Sequence, residues 1–508
     1  VDGKEIGKEL FIQKTRGYIS YVKGNDPLTF PFIIYPIQYN NPNSYLKQIE
    51  DGLWKYPMRQ MNGAPIIEPI KSLDIILTPI GEYQKLGYDF IMDKLKIDRN
   101  IVNKTQGMNY TFLEPLLQSL NIIYPHLSVE GEEDVDIEED YRYLYGGRGL
   151  SRVMLYDKKT KRDFSYKQET LERYGRLFSP DNIGKYSAKI KSICDSIAVS
   201  NGIVFIFSQY IEGGGVPVAL ALEEMGITRY GKSGSLFQET PTDPIDALTM
   251  TTEPVPGEKF KAAKYAMILG DKSLTPDVKS EIQAITSSKN INGEIVKVLI
   301  VSKAGSEGLD FKNIRETHIL DPWYNLNRQD QIIGRSVRNL SHCSLPFEKR
   351  NVNIFLYGTK LEDDIEAADL YLYRLSENKA KKISNISRIL KENAVDCLLN
   401  NKGKDYSQDK LNTEIKQIIS TGETITLKIG EQDGTLSCDF RECQYSCVSP
   451  VLPDTIDKTT YNYDFIQLNI ENIVNKIKGL FKENYIYDKI NLIKGIQQTR
   501  IYPEDQIN

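Results

Sequence analysis

From about residue 170 onward the chain repeats one pattern, and that pattern restricts its fold more than any other feature. A helix-like stretch at 185–199 (KYSAKIKSICDSIAV) runs into the apolar segment GIVFIFS at 202–208. Gly213, Gly214 and Gly215 then lead into a second helix-like stretch at 216–225. Further short apolar runs follow at 264–271 (KYAMILGD), 296–302 (VKVLIVS), 317–322 (THILDP) and 352–358 (VNIFLYG). Short apolar runs alternating with helical segments predict an α/β fold, with a parallel sheet covered on both faces. In such sheets ligands sit beyond the carboxyl ends of the strands. The segments leaving these runs are therefore the places to look for chemistry.

A chain of 508 residues is too long for one core and predicts two to four domains. With 64 basic against 69 acidic residues the net charge is -5, so nucleic-acid contact must come from a local patch and not a global field. No apolar run approaches the roughly 18 residues of a membrane span, which argues against a membrane partner. The chain opens at Val1 inside charged sequence without an initiator Met, which reads as a processed product or a fragment. Six cysteines in this length point to a reducing compartment and not to a disulfide scaffold.

Outside the α/β stretch, residues 1–45 read as an extended connecting segment, because Pro27, Pro31 and Pro36 suppress ladders and helices. Residues 46–165 read as an inserted α+β region with a helix at 82–96 and a solvated acidic loop at 130–141. The α/β region itself spans 166–360. A helical extension is expected at 361–400, a Cys-containing β-rich module at 401–455 and a truncated helical region at 456–508.

The chemistry concentrates in 304–338. The run VKVLIVS leads into Lys303-Ala304-Gly305-Ser306-Glu307-Gly308-Leu309-Asp310. Two glycines and a carboxylate at a strand end let backbone amides and an acid approach a ribose or phosphate. Downstream, Gln331, Gly334, Arg335 and Arg338 follow the pattern Q-x-x-G-R-x-x-R. Helical spacing sets Gln331, Arg335 and Arg338 on one face, and Gly334 removes a side chain where that face approaches something closely. Two guanidiniums on one face can fork onto a polyphosphate. A third element is FIFSQYIEGGG at 205–215, where Ser208 and Gln209 stand at a strand exit suited to a backbone phosphate.

One formal phosphate-loop match, Gly226 to Ser233, has the wrong setting. The helical run VPVALALEEM precedes it where a strand is required, and GSLFQETPTDP after it cannot be the phosphate-binding helix. Gly226 reads better as a helix C-cap. Cys438, Cys443 and Cys447 could supply three thiolates to a tetrahedral zinc, with Cys397 as the fourth ligand, although buried free thiols fit the spacing as well. The basic run Lys379, Lys381, Lys382, Arg388 and Lys391 fits either a nucleic-acid backbone or a solvated helix face. His318, in an apolar run, is expected to be structural.

These segments resemble motifs IV (FSQY), V (GSEGLDF) and VI (QIIGRSVR) of superfamily 2 helicases, in the Swi/Snf-like subdivision. RGYISYVKGNDPLTFP, KYSAKI, PWYN and AVDC narrow the resemblance to helicase-like ATPases of large cytoplasmic DNA viruses. These are relatives of the poxvirus early-transcription-factor ATPase and nucleoside triphosphatase, and the resemblance is to their C-terminal half. It covers roughly residues 15–450 and implies a RecA-like second lobe. By that resemblance Arg335 and Arg338 are the arginine fingers. Gly305, Glu307, Gly308, Asp310 and Gln331 lie in the nucleotide cleft, and Ser208, Gln209 and Ser306 lie near the nucleic-acid backbone.

The resemblance also implies ATP and Mg2+, held mainly by a first lobe of the same protein, since no DE-x-H or DE-A-H box is present. DNA or RNA and the viral transcription machinery are the implied partners. The host cytoplasm and the virion are the implied locations. Alone, the chain is expected to hydrolyse nothing. The competing reading is a non-catalytic, helicase-like scaffold in a viral transcription complex.

Overall fold

The computed structural model describes residues 7–21, 28–98, 108–130, 140–231, 234–303, 309–398, 412–430, 433–448, 463–498, 500–502 and 507. Twelve strands are formed among them. They are β1 (Phe32–Ile34), β2 (Ile76–Pro79), β3 (Met154–Asp157), β4 (Arg162–Tyr166), β5 (Ile203–Phe207) and β6 (Thr228–Arg229). The others are β7 (Lys264–Ile268), β8 (Val298–Val301), β9 (Ile314–Ile319), β10 (Asn351–Lys360), β11 (Glu414–Ile418) and β12 (Thr424–Lys428).

The expected parallel sheet is present. Its order is β6-β7-β8-β5-β9-β10, and every pairing is parallel. Beyond β10 the last position is shared end to end, with β1 pairing residues 351–353 and β2 pairing residues 357–360. From the central β5 the chain runs to the β6 edge and returns to β8 beside β5. It then crosses to β9 on the other flank. The order therefore reverses at β5, and the crevice of such a sheet opens there, at the carboxyl ends of the strands.

Alternate residues of each central strand enter two separate cores, which is why the strands are apolar throughout. Val204, Ile206, Met267 and Ile300 pack on one face with the helices α3 (Ala188–Val199) and α4 (Val216–Glu224). Phe205, Phe207, Ile268 and Val301 pack on the other with α5 (Val278–Ile285), α6 (Leu326–Ser336) and α7 (Ala368–Asn393). A third core joins α1 (Glu82–Asp98) and α2 (Tyr110–Asn121) to Ala368 and Leu372 of α7. Residues before 166 thus share their cores with the sheet: Ile76, Tyr124 and Leu150 pack among its side chains.

Several boundaries differ from those expected. β9 begins at Ile314, through Arg315, Glu316, Thr317 and His318, all buried. These polar residues are tolerated because each has a partner. His318 Nε2 is 2.9 Å from Glu316, its Nδ1 is 2.9 Å from the Tyr357 hydroxyl, and Arg315 donates to Asn351 at 3.1 Å. The helix expected at 361 starts only at Ala368. The hairpin β11–β12 packs Ile419, Ile425 and Leu427 on Ile34 of β1. The acidic loop lies mostly outside the described residues.

Residues 448–508 form a second compact unit. In it α8 (Tyr463–Glu483) and α9 (Lys489–Gln497) meet through Ile473, Leu480 and Ile496. Among the described residues no helix is long and apolar enough to cross a membrane.

Candidate active-site face and strand-end pocket

Motif residues from three strand exits meet at the reversal point of the sheet. Ser208 follows β5 and donates from Oγ to Asp321 Oδ1 at 2.6 Å, while the Gln209 amide donates to Asp321 Oδ2 at 2.8 Å. Asn121, at the end of α2, donates to the same Asp321 oxygen at 3.0 Å. A Cβ at Gly214 would overlap the Ser208 hydroxyl, so the glycine run is what lets the chain turn back over it. Burial pushes the Asp321 carboxyl up, against the pull of Ser208, Gln209 and Asn121. Asp321 was not singled out in the sequence. Its signal is only the aspartate of the DP pair at a strand exit.

This geometry changes one expectation. Ser208 is 1% exposed, and its hydroxyl is engaged with Asp321. It holds the exit loop in place and does not itself reach a nucleic-acid backbone. Gln209 lies at the rim of a pocket with Lys303 and Trp323. Gly305, Ser306, Glu307 and Gly308 lie outside the described residues.

By the segment that leads into β9, Asp310, Arg335 and Arg338 come together. Arg338 Nη2 is 3.0 Å and Arg335 Nη1 is 3.9 Å from Asp310 Oδ1. Arg335 also donates to the Leu309 carbonyl at 3.1 Å, and the Phe311 amide donates back to the Arg335 carbonyl at 3.2 Å. Motifs V and VI are thereby tied to each other. The side chain of Arg335 is 18% exposed and that of Arg338 47%.

The helical placement expected for both arginines holds for Arg335 alone. α6 ends at Ser336, so Arg338 reaches Asp310 from irregular backbone. Gln331 is exposed on α6, whose Ile332 and Ile333 anchor it to the sheet. A Cβ on Gly334 would meet nothing within 4 Å. Among the described residues nothing approaches that face closely at Gly334.

The cysteine cluster is not a zinc site. Cys397 pairs with Cys447 and Cys438 with Cys443 as disulfides, with Cα–Cα distances of 5.9 and 4.7 Å. Among the described residues no group of three or more acids, histidines or cysteines could hold a metal. Sequence spacing cannot separate the two outcomes, because zinc thiolates and disulfides both require the cysteines to gather. Four of the six cysteines are therefore not the reduced thiols expected from composition.

Part of the basic run belongs to this same module and not to solvent or nucleic acid. Arg388, 3% exposed, bonds Asp439 at 3.1 Å, and Lys391 bonds it at 2.9 Å. The formal phosphate-loop match also fails structurally, since α4 precedes it and Gly226 adopts φ +88° just past the helix end.

A RecA-like parallel sheet with a strand-exit cleft at its carboxyl ends is the architecture of a helicase second lobe. Residues 257–339 match the family described as the helicase conserved C-terminal domain. The whole chain is 23% identical to a protein of Acanthamoeba polyphaga mimivirus named as an ATP-dependent RNA helicase, covering 44% of it. It is 27% identical to a protein of Invertebrate iridescent virus 3 named as a helicase, over 63% of this chain and 29% of that protein. A termination factor NPH-I homolog of African swine fever virus is 35% identical over 34% of this chain and 26% of its own length. Over 257–339 this chain is thus similar to the conserved C-terminal domain of helicases, and these relatives come from large DNA viruses. It spans less than half the length of each of these relatives.

Proposed function

We propose that this chain supplies the second half of a composite active site in a nucleic-acid-dependent ATPase, a helicase or translocase. The observation that carries the reading is the convergence of Arg335 and Arg338 on the exposed Asp310. Asp310, 65% exposed, holds two guanidiniums side by side at the surface. There they are free to exchange a carboxylate for a polyphosphate of higher charge. Facing a nucleotide bound on a first lobe, they stabilise the charge that develops on the γ-phosphoryl group.

The open space at Gly334 supports close approach of such a lobe. The two arginines fit the phosphates of ATP, and magnesium on this reading belongs with the first lobe, where it neutralises phosphate charge. The chain by itself hydrolyses nothing. The Gln209 and Lys303 side of the strand ends takes the nucleic-acid track, DNA or RNA. The names of the relatives, helicases and a termination factor of DNA viruses, support a place beside viral transcription machinery, and the host cytoplasm and virion are the locations the family resemblance implies.

The test is the double variant Arg335→Ala/Arg338→Ala in a protein that carries both lobes. Loss of an arginine finger lowers phosphoryl transfer by roughly 10^3-fold or more. Nucleic-acid-stimulated ATPase that survives the double substitution would sink the mechanism, and with it the assignment of this face.

A further inference from the structure

We infer that a pocket at the strand exits receives a single nucleobase, a use of this lobe that rests on its binding nucleic acid. The pocket measures about 330 Å3 and is lined by Gln209, Lys303 and Trp323, which leave β5, β8 and β9. Its other wall is Tyr110 and Glu114 of α2, with Glu212 between the two. A volume of this size is at the low end for ligand sites, which run from roughly 300 Å3 upward.

The lining chemistry selects the ligand class. Glu114 opposes entry of a phosphate, while the Glu212 carboxylate is already paired with Lys161 at 2.9 Å. Lys303, whose Nζ sits 5.6 Å from the Trp323 ring centre, opposes entry of a cation. What remains is a flat neutral group with both hydrogen-bond donors and acceptors.

Gln209 adds a specific demand. Its main-chain amide is fixed on Asp321 at 2.8 Å, and its side-chain Nε2 is buried with no hydrogen-bond partner. A buried donor left unmade is costly, so the site favours a ligand that brings an acceptor. Trp323 is the stacking platform. Arg328 lies 4.1 Å from its ring centre and Tyr110 meets it edge-on at 6.2 Å, so the indole is held before any ligand arrives. An unpaired base turned out of its strand meets all of these requirements, and its phosphate stays outside, away from Glu114.

The chain has two tryptophans, Trp54 and Trp323, so Trp54→Phe leaves Trp323 as the emitting reporter. Single-stranded oligothymidylate, an abasic strand of equal length and charge, and thymidine monophosphate are each titrated into the full 508-residue chain. The thymidine strand is expected to quench Trp323 and to bind roughly tenfold tighter than the abasic strand. Quenching by the monophosphate as well assigns the pocket to bases in general. Quenching by the strand alone assigns it to a base presented by the track.

Gln209→Ala is expected to weaken the thymidine strand severalfold more than the abasic strand, a difference that general unfolding cannot produce. Equal binding and equal quenching by the two strands overturns the nucleobase assignment while leaving nucleic-acid binding intact. Failure of both strands to bind overturns the nucleic-acid reading itself, and this inference with it.

Discussion

Lys189 and Asp369 form an ion pair with 1% and 0% of their side chains exposed and 2.7 Å between Nζ and Oδ2. Lys189 also donates to the Leu320 carbonyl at 3.3 Å, next to the Asp321 that organises the strand exits. Lys189→Met keeps most of the side-chain volume and strands the Asp369 carboxylate. The donors left to it are the Thr359 hydroxyl and the Leu370 amide, each at 2.7 Å. Neither replaces a unit charge. Breaking one side of a buried pair costs about 3–5 kcal/mol.

The compact unit holding the pair spans Val1–Cys447. At roughly 2.1 cal/mol/K per residue its unfolding entropy is about 0.9 kcal/mol/K, so Tm should fall by roughly 3–5 °C. Calorimetry or near-ultraviolet circular dichroism reads this directly. The double variant Lys189→Met/Asp369→Leu removes both charges and should recover most of the loss. A single-variant shift under about 1 °C, or a double variant that melts below the single, would refute the reasoning.

Three further outcomes are expected. Gly334→Ala meets open space inside a helix and should leave the lobe no less stable, with a gain of up to about 1 kcal/mol. The same change should lower ATPase in a protein carrying both lobes, and unchanged turnover there would remove the case for close approach. Burial pushes the Glu281 carboxyl up to about 7, with Arg229 pulling it down. Its stabilising contribution is therefore complete below the ordinary value of 4.5 and lost as pH rises through about 7. Glu281→Gln should flatten the Tm–pH curve across that window, and an unaltered curve would count against the buried carboxyl. Alkylation of the denatured, unreduced chain should modify Cys194 and Cys343 alone, and six modified thiols would exclude both disulfides.

Much of the lobe was legible because its determinants are local. GIVFIFS and VKVLIVS are apolar at every position since both faces of a central parallel strand are covered, and that is written in consecutive residues. The pairing of Arg335 with Arg338 was legible for a related reason: it depends on residue types at short spacing. Polar core residues were harder to read. Arg315, Glu316 and His318 extend β9 only because Asn351 and Tyr357 wait on the neighbouring strand.

By itself the sequence determined the α/β class and the central strands, and it singled out the residues proposed to bear phosphate chemistry, all through patterns spanning a few residues. Tertiary structure alone decided which of those residues face outward. It turned Ser208 inward onto Asp321, left Arg335 and Arg338 sharing an exposed Asp310, and joined the cysteines in pairs instead of around a metal. It also brought Tyr110 and Glu114 across to Gln209 and Trp323, roughly 100 to 200 positions away. The physical reason is common to all four. Hydrogen bonds, ion pairs and disulfides satisfy partners that are close in space, and separation along the chain carries no information about which partner a buried group will find.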